Sequence, residues 1–187
     1  MGNVLLIRHG EPDYENGLLI NEESKLSLGV SSVGLSSTGI KNCEEAAEIV
    51  SSFNPRVLVS SPYTRALHSA LIFAAHKYVP IFIEKNLVEW MTNCSIILDG
   101  RNVYDKMLLE VTHHDGVYDE SCEFIWESLN ELKRRALSVI YNYSERYDSI
   151  AVVSHKMLIY QLTGKSLPFC GYVETTYEDL LRYCEVK

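Results

Sequence analysis

Four consecutive aliphatic residues near the start of the chain, Val4-Leu5-Leu6-Ile7, give way at once to Arg8-His9-Gly10-Glu11. A short run with no polar residue for either face suits a strand buried on both sides, the situation of an interior strand in a parallel sheet. In such sheets ligands bind beyond the carboxyl ends of the strands. Arg8 and His9 stand at that end, and Gly10 allows both a sharp turn and close approach by a ligand. The tripeptide alone supports two readings equally: a phosphate or carboxylate site with a reactive imidazole, or a strand end with a solvated arginine and a satisfied histidine. The rest of the chain must decide between them.

Two further apolar runs end in the same manner. Val57-Leu58-Val59-Ser60 leads into Ser61-Pro62, and Ile150-Ala151-Val152-Val153-Ser154 leads into His155. Between the runs the period changes to that of helices. Ile40, Cys43, Ala46, Ala47 and Val50 predict a helix over 37–52, with Ser36 or Ser37 as N-cap. Ala66, Leu67, Ala70, Leu71 and Ala74 predict another over 63–76, with Pro62 in its first turn. Residues 122–143 read as a long amphipathic helix capped by Ser121, and 157–163 as a helix closed by Gly164. A third strand is expected over 80–83, a short helix over 104–111 and an edge strand from Tyr172. Residues 11–34 are too long and irregular for a tight turn and read as an active-site loop. Strand and helix alternation over 187 residues, with no repeat or linker, predicts one α/β domain over 1–187, a mainly parallel sheet covered by helices.

Composition narrows the partners. With 17 Lys and Arg against 25 Asp and Glu the net charge is −8, which argues against a broad nucleic-acid or anionic-membrane surface. An anion site in such a chain must be a local cationic pocket. No apolar run approaches the length of a membrane span, and the five cysteines show no Cys-x-x-Cys spacing. A cytoplasmic protein with reduced thiols is the expectation, with no membrane or nucleic acid as partner and no stated oligomeric form.

If the three runs are neighbours in the sheet, Arg8, His9, Arg65 and His155 converge. Arg65 falls in the first turn of its helix, where a cation opposes the helix dipole; that local conflict favours a functional reading. Two guanidiniums match the oxygens of a phosphoryl group, and His155 adds a donor. Imidazole is also a nucleophile toward phosphorus, and a cationic cluster keeps His9 unprotonated at neutral pH. The reaction then needs an acid for the leaving alkoxide. Glu89, in the apolar stretch Leu87-Val88-Glu89-Trp90, is one candidate, because apolar surroundings raise a carboxyl pKa, with an ordinary ion pair as the competing reading. Glu11 is the other, unless it only fixes its loop. His113-His114-Asp115 invites a metal reading, but adjacent residues rarely face one ion, so a solvated loop is preferred and no metal or other cofactor is expected.

The ordered set Arg8-His9-Gly10-Glu11, Leu35-Ser36-x-x-Gly39, Ser60-Ser61-Pro62-x-x-Arg65-Ala66-x-x-Ser69-Ala70, Leu87-x-Glu89 and Val152-Val153-Ser154-His155 resembles the histidine phosphatase superfamily, the phosphoglycerate-mutase-like proteins. The resemblance implies a three-layer α/β/α sandwich and metal-independent catalysis through a phosphohistidine. It implies His9 as nucleophile, Arg8, Arg65 and His155 as the phosphate pocket, Glu89 as proton donor, and catalytic parts for Arg8 and His155. Asn16 resembles a phosphate-contacting asparagine of the loop after the first motif, at an offset one residue longer, and Ser60 is a further candidate for supporting the pocket. Two departures stand out: Lys156 replaces a common glycine, and Glu11-Pro12-Asp13-Tyr14 replaces the mutase version of the loop. Lys156 either adds a phosphate contact or crowds the turn, whereas the changed loop, with the short chain, points to the small phosphatase branch and a phosphomonoesterase acting on a small phosphorylated metabolite. A mutase-type phosphotransferase and a non-catalytic phospholigand-binding protein are the alternatives. Tyr14, Trp90, Tyr104 and Tyr118 are candidates for an aromatic wall.

Overall fold

The computed structural model describes residues 2–17, 28–94 and 99–186, with the side chains of residues 16, 17, 28 and 29 outside that description. In chain order the elements are β1 (Asn3–Arg8), α1 (Tyr14–Gly17), α2 (Leu28–Ser31), α3 (Ser37–Phe53), β2 (Val57–Ser60), α4 (Thr64–Ala75), β3 (Ile81–Ile83), α5 (Arg101–His113), α6 (Leu129–Ser144), β4 (Ser149–Ser154), α7 (Lys156–Thr163), β5 (Tyr172–Thr176) and α8 (Tyr177–Glu185). A 3₁₀ turn over Lys85–Leu87 follows β3.

The three apolar runs are neighbours. The sheet order is β3-β2-β4-β1-β5, parallel throughout except for β5, which pairs antiparallel with β1. Arg8 lies opposite Ser154, and Ser60 opposite Val153, so the carboxyl ends of β1, β4 and β2 form one rim. The ladder continues one residue beyond the strands, with His9 N–H donating to Ser154 O (3.0 Å) and Ser61 N–H to Val153 O (3.0 Å). His9 and Ser61 are thereby held by sheet hydrogen bonding rather than by a free loop, and His155, next after β4, is the cap residue of α7.

Alternation along each strand feeds two cores. Val4, Leu6, Val57, Val59, Ile150 and Val152 pack with Met107, Leu132, Ile140, Leu158, Ile159 and Leu180. Leu5, Ile7, Leu58, Ala151 and Val153 pack with Cys43, Ala47, Ala66, Ala70 and Phe73. The first core carries α5, α6, α7 and α8, the second α3 and α4, which gives the expected three layers. Removing each fully buried aliphatic side chain from water supplies about 1.5–3 kcal/mol, which is why the strand interiors are aliphatic, with the buried Ser60 and Ser154 confined to the carboxyl ends of β2 and β4. Among the described residues no helix is long and apolar enough to cross a membrane.

Several local expectations are corrected. The helix expected over 122–143 starts at Leu129, capped by Ser128 rather than Ser121. Ser128 accepts from Glu131 N–H (3.3 Å) and its hydroxyl bonds the Glu131 carboxylate (3.1 Å), a capping box written in Ser128-Leu-Asn-Glu131. The preceding residues are held extended: Asn93 N–H donates to Ile125 O and Glu127 N–H to Met91 O, while the Glu110 carboxylate accepts from Glu123 N–H, Phe124 N–H and Trp126 Nε1–H. Ile125, counted as an apolar helix position, is 63% exposed. The helix expected over 104–111 is longer, and α4 begins at Thr64, leaving Pro62 before the cap residue Tyr63. The loop over 11–34 contains the short α1 and α2. The tail carries α8 after its edge strand, with Thr176 as N-cap accepting from Asp179 N–H (3.2 Å).

Candidate active site

Gly10 sets the first strand's exit. A Cβ there would lie 2.6 Å from Cys43 Sγ and 2.9 Å from Gly39 O, so only glycine lets the chain pass α3. Gly10 N–H donates to Ser69 Oγ (3.0 Å), and the Ser69 hydroxyl donates to Arg65 O (2.7 Å). This ties the turn after β1 to the first turn of α4. Glu11 accepts at Oε1 from the Ser36 hydroxyl (2.9 Å), and Ser36 caps α3 by accepting from Gly39 N–H (2.9 Å). Glu11 therefore serves the loop and the helix start. Behind Gly10 the thiols of Cys43 and Cys170 lie 3.5 Å apart.

Those supports bring His9, Arg65 and His155 together. The rings of His9 and His155 meet edge to face at 5.0 Å between centroids. His9 Nδ1 lies 2.7 Å from Gly10 O, an acceptor, so Nδ1 carries the proton and Nε2 the lone pair. Arg65 Nε–H donates to that Nε2 (3.2 Å), and its Nη2 lies 3.4 Å from His155 Nδ1. His155 Nε2 is 2.8 Å from Ser61 Oγ. Each contact fits a neutral imidazole. Burial, then the Arg65 charge, push the His9 pKa down to about 3, with Arg8 adding and the Gly10 hydrogen bond opposing. His155 is lowered well below its ordinary value, first by burial and then by His9, Arg65, Arg135 and Arg8.

Arg8 reaches the cluster from β1's end. Its Nη1 donates to Leu167 O (2.8 Å) and its guanidinium stacks 4.0 Å over the Phe169 ring, which also lies 5.7 Å from His9. Arg8 Nε is buried and has no hydrogen-bond partner among the described residues. Tyr63 packs against His155 (5.1 Å) and beneath the Arg65 guanidinium (5.0 Å). Glu89 carries its carboxylate to the start of α7, where it accepts from Met157 N–H (3.3 Å) and Leu158 N–H (3.2 Å), and from Trp90 N–H (3.0 Å) in its own loop. Its surroundings are polar, not apolar as the neighbouring sequence implies. Since α7 follows directly on His155, Glu89 and His155 share one support.

The other candidates fall as follows. The Ser60 hydroxyl donates to Ser61 O (2.9 Å), so the strand-end contact with His155 is made by Ser61. Asn16 belongs to α1, and its side chain is outside the described residues. Lys156 is exposed at the first position of α7, and its backbone is not left-handed, so the position does not demand glycine. His113 ends α5 exposed; its neighbour His114 contacts Asp119 at 3.3 Å, with Cys122 completing a group of donor atoms within 4.8 Å of one another. A cleft of about 610 Å³ lined by Met91, Trp126, Glu127 and Arg135 flanks the loop after Glu89, and His9, Arg65 and His155 do not line it. Ser61, Ser69, Tyr63, Phe169 and Arg135 escaped the sequence reading. Ser61 and Ser69 do stand within the motif around Arg65, whereas nothing local marks Phe169 or Arg135.

Helices on both faces of a mainly parallel sheet, with the polar cluster on its carboxyl rim, make this a phosphoglycerate-mutase-like α/β protein. Solved structures agree: Bacillus stearothermophilus YhfR matches with a TM-score of 0.69 at 15% identity, covering 93% of this chain and 90% of that one. The mycobacterial glucosyl-3-phosphoglycerate phosphatase Rv2419c in complex with VO3 matches at 0.66 and 17% identity, covering 93% and 92%. A phosphoserine phosphatase mutant from Entamoeba histolytica in complex with phosphoserine matches at 0.61 and 22%, covering 93% and 90%. The chain belongs to the histidine phosphatase superfamily (branch 1), whose model matches residues 4–169, and it is an enzyme, a phosphatase. It is also 25% identical over 164 residues to the uncharacterized phosphatase PhoE of Bacillus subtilis, across 87% of this chain and 76% of that protein.

Proposed function

We propose that the protein is a metal-independent phosphomonoesterase that hydrolyses a small organic phosphate through a phosphohistidine on His9. The observation that carries this reading is the state of the His9 ring. The Nδ1–H contact with Gly10 O leaves the lone pair on Nε2, where it accepts from Arg65 Nε–H until a phosphoryl group draws that donor away, and a pKa of about 3 keeps Nε2 unprotonated across the physiological range. The phosphoryl group is held by Arg8, Arg65 and His155, with Ser61 fixing the His155 ring. A buried donor without an acceptor costs about 1–3 kcal/mol, and a phosphoryl oxygen would satisfy Arg8 Nε.

In the first step Nε2 of His9 bonds to phosphorus, the bond from phosphorus to the ester oxygen breaks, and protonated Glu89 gives its proton to the leaving alkoxide. In the second step water attacks phosphorus, the bond to Nε2 breaks, and the Glu89 carboxylate takes the water's proton. Alcohol and phosphate leave and both residues return to their starting forms. The guanidiniums supply the positive charge that the equatorial oxygens require, without a metal.

His9→Ala tests the reading. It should abolish hydrolysis of p-nitrophenyl phosphate while inorganic phosphate still binds by calorimetry; unchanged turnover would remove His9 from the nucleophile's role. Turnover by the unaltered enzyme should persist in EDTA, and its loss there would refute metal independence.

A further inference from the structure

Arg135 lies on α6, far along the chain from the motifs, yet it spends its whole donor set on one task. Nε donates to Glu127 Oε1 (2.5 Å), Nη1 to Asn86 O (2.7 Å) and Val88 O (2.8 Å), and Nη2 to Glu89 O (3.1 Å) and Glu127 Oε2 (2.8 Å). A guanidinium has five N–H groups, and these contacts use all of them. Three end on carbonyls of the segment that carries Glu89.

Glu127 closes the arrangement from the other side. Its carbonyl accepts from Trp90 Nε1–H (2.7 Å), its N–H donates to Met91 O (2.8 Å), and its carboxylate accepts from Met91 N–H (3.3 Å). The Arg135 and Glu127 side chains are only 12% and 5% exposed. Burying an ion pair costs several kcal/mol per ion before any return, so a pair in this place is poorly explained as mere support for a surface loop. Lysine offers a single point charge and cannot reproduce the fork.

The consequence falls on Glu89. Its side chain reaches the start of α7, directly after His155, while its main chain is held by Arg135. The carboxylate is thus located by two supports belonging to different helices.

We propose that Arg135, paired with Glu127, is a positioning residue that clamps residues 86–91 so that Glu89 meets the leaving oxygen. It touches no reacting atom. The inference rests on Glu89 being the proton donor proposed above.

The test compares glycerol phosphate, whose leaving group needs a proton, with p-nitrophenyl phosphate, whose leaving group does not, for Arg135→Lys, Glu127→Gln and Glu89→Gln. The comparison is made on kcat/KM, which ends at phosphoryl transfer to His9 and leaves out the later step in which Glu89 acts as base. General acid catalysis contributes roughly 10²- to 10⁴-fold, so a displaced donor should lower kcat/KM on glycerol phosphate by about tenfold or more in Arg135→Lys. On p-nitrophenyl phosphate its kcat/KM should stay within about threefold, with inhibition by inorganic phosphate unchanged. Glu127→Gln, which keeps the side chain's shape, should show the same signature more weakly and serves if Arg135→Lys does not fold. Equal losses on both substrates, or none, in a folded clamp variant overturn the inference. If Glu89→Gln discriminates between the substrates and the clamp variants do not, the clamp alone fails. If Glu89→Gln itself loses both equally, the proton-donor reading fails.

Discussion

Lowering the pH from 7 to 5 should cost the folded chain about 2 kcal/mol through His9, with a further loss of the same sign through His155. In the unfolded chain each titrates near 6.5, whereas in the fold His9 is pushed down to about 3 and His155 lies well below its ordinary value. As the pH falls through 6.5 the unfolded chain binds two protons that the folded chain refuses, so stability declines with falling pH. The slope is about 1.4 kcal/mol per pH unit, hence about 2 kcal/mol for His9 over the roughly 1.5 units down to pH 5. Against a typical total of about 5–15 kcal/mol it is a large share. Urea denaturation followed by the fluorescence of Trp90 and Trp126, both buried, measures it. His9→Asn should flatten the profile between pH 7 and 5 by about 2 kcal/mol and His155→Asn should flatten it in the same sense, while the carboxylates, common to all three proteins, cancel in the difference. A wild-type profile with the same slope as both variants would refute the claim that the two rings are buried neutral.

Gly10→Ala should destabilise by about 1–3 kcal/mol, since its Cβ meets Cys43 Sγ and Gly39 O; chemical denaturation reads the loss, and Cys43→Ala should restore only part of it because the carbonyl remains. Ser128→Ala removes the α6 cap and should cost about 1 kcal/mol by the same assay, with no change in the relative rates on the two phosphate esters. Ser61→Ala leaves His155 Nε2 without its partner and should weaken inhibition by inorganic phosphate severalfold, measured by competition.

The parts of the fold that were legible are those where one physical requirement acts over several adjacent residues. Val4–Ile7, Val57–Val59 and Ile150–Val153 could only be interior strands, and their shared ending in polar residues marked one rim. His9, Arg65 and His155 meet there as that ending implied. Residues 122–128 misled because Ile125 keeps a helical spacing while its backbone is held extended by Glu110 and Asn93, groups distant in sequence. The Ser128 capping box was the local sign that the helix begins later. Glu89 was singled out on an apolar setting that the structure replaces with backbone N–H groups of α7, which carry no mark in the sequence around Glu89. Arg135 looks like any basic residue on an amphipathic helix. Its task is set by carbonyls, which every residue possesses.

The order of strands in the sheet also governs when the enzyme can come into being. β4 is threaded between β1 and β2 although it is synthesised long after both. Until residue 149 has left the ribosome, β1 and β2 have no common neighbour to bring Arg8 and His9 level with Ser61 and Arg65. Contacts of such high sequence separation are slow to close, so a nascent or truncated chain lacking β4 holds two unjoined halves of a sheet and no anion site. On the proposed reading, phosphate affinity therefore reports the joining of β1 and β2 through β4, a step distinct from the later pairing of β5 with β1.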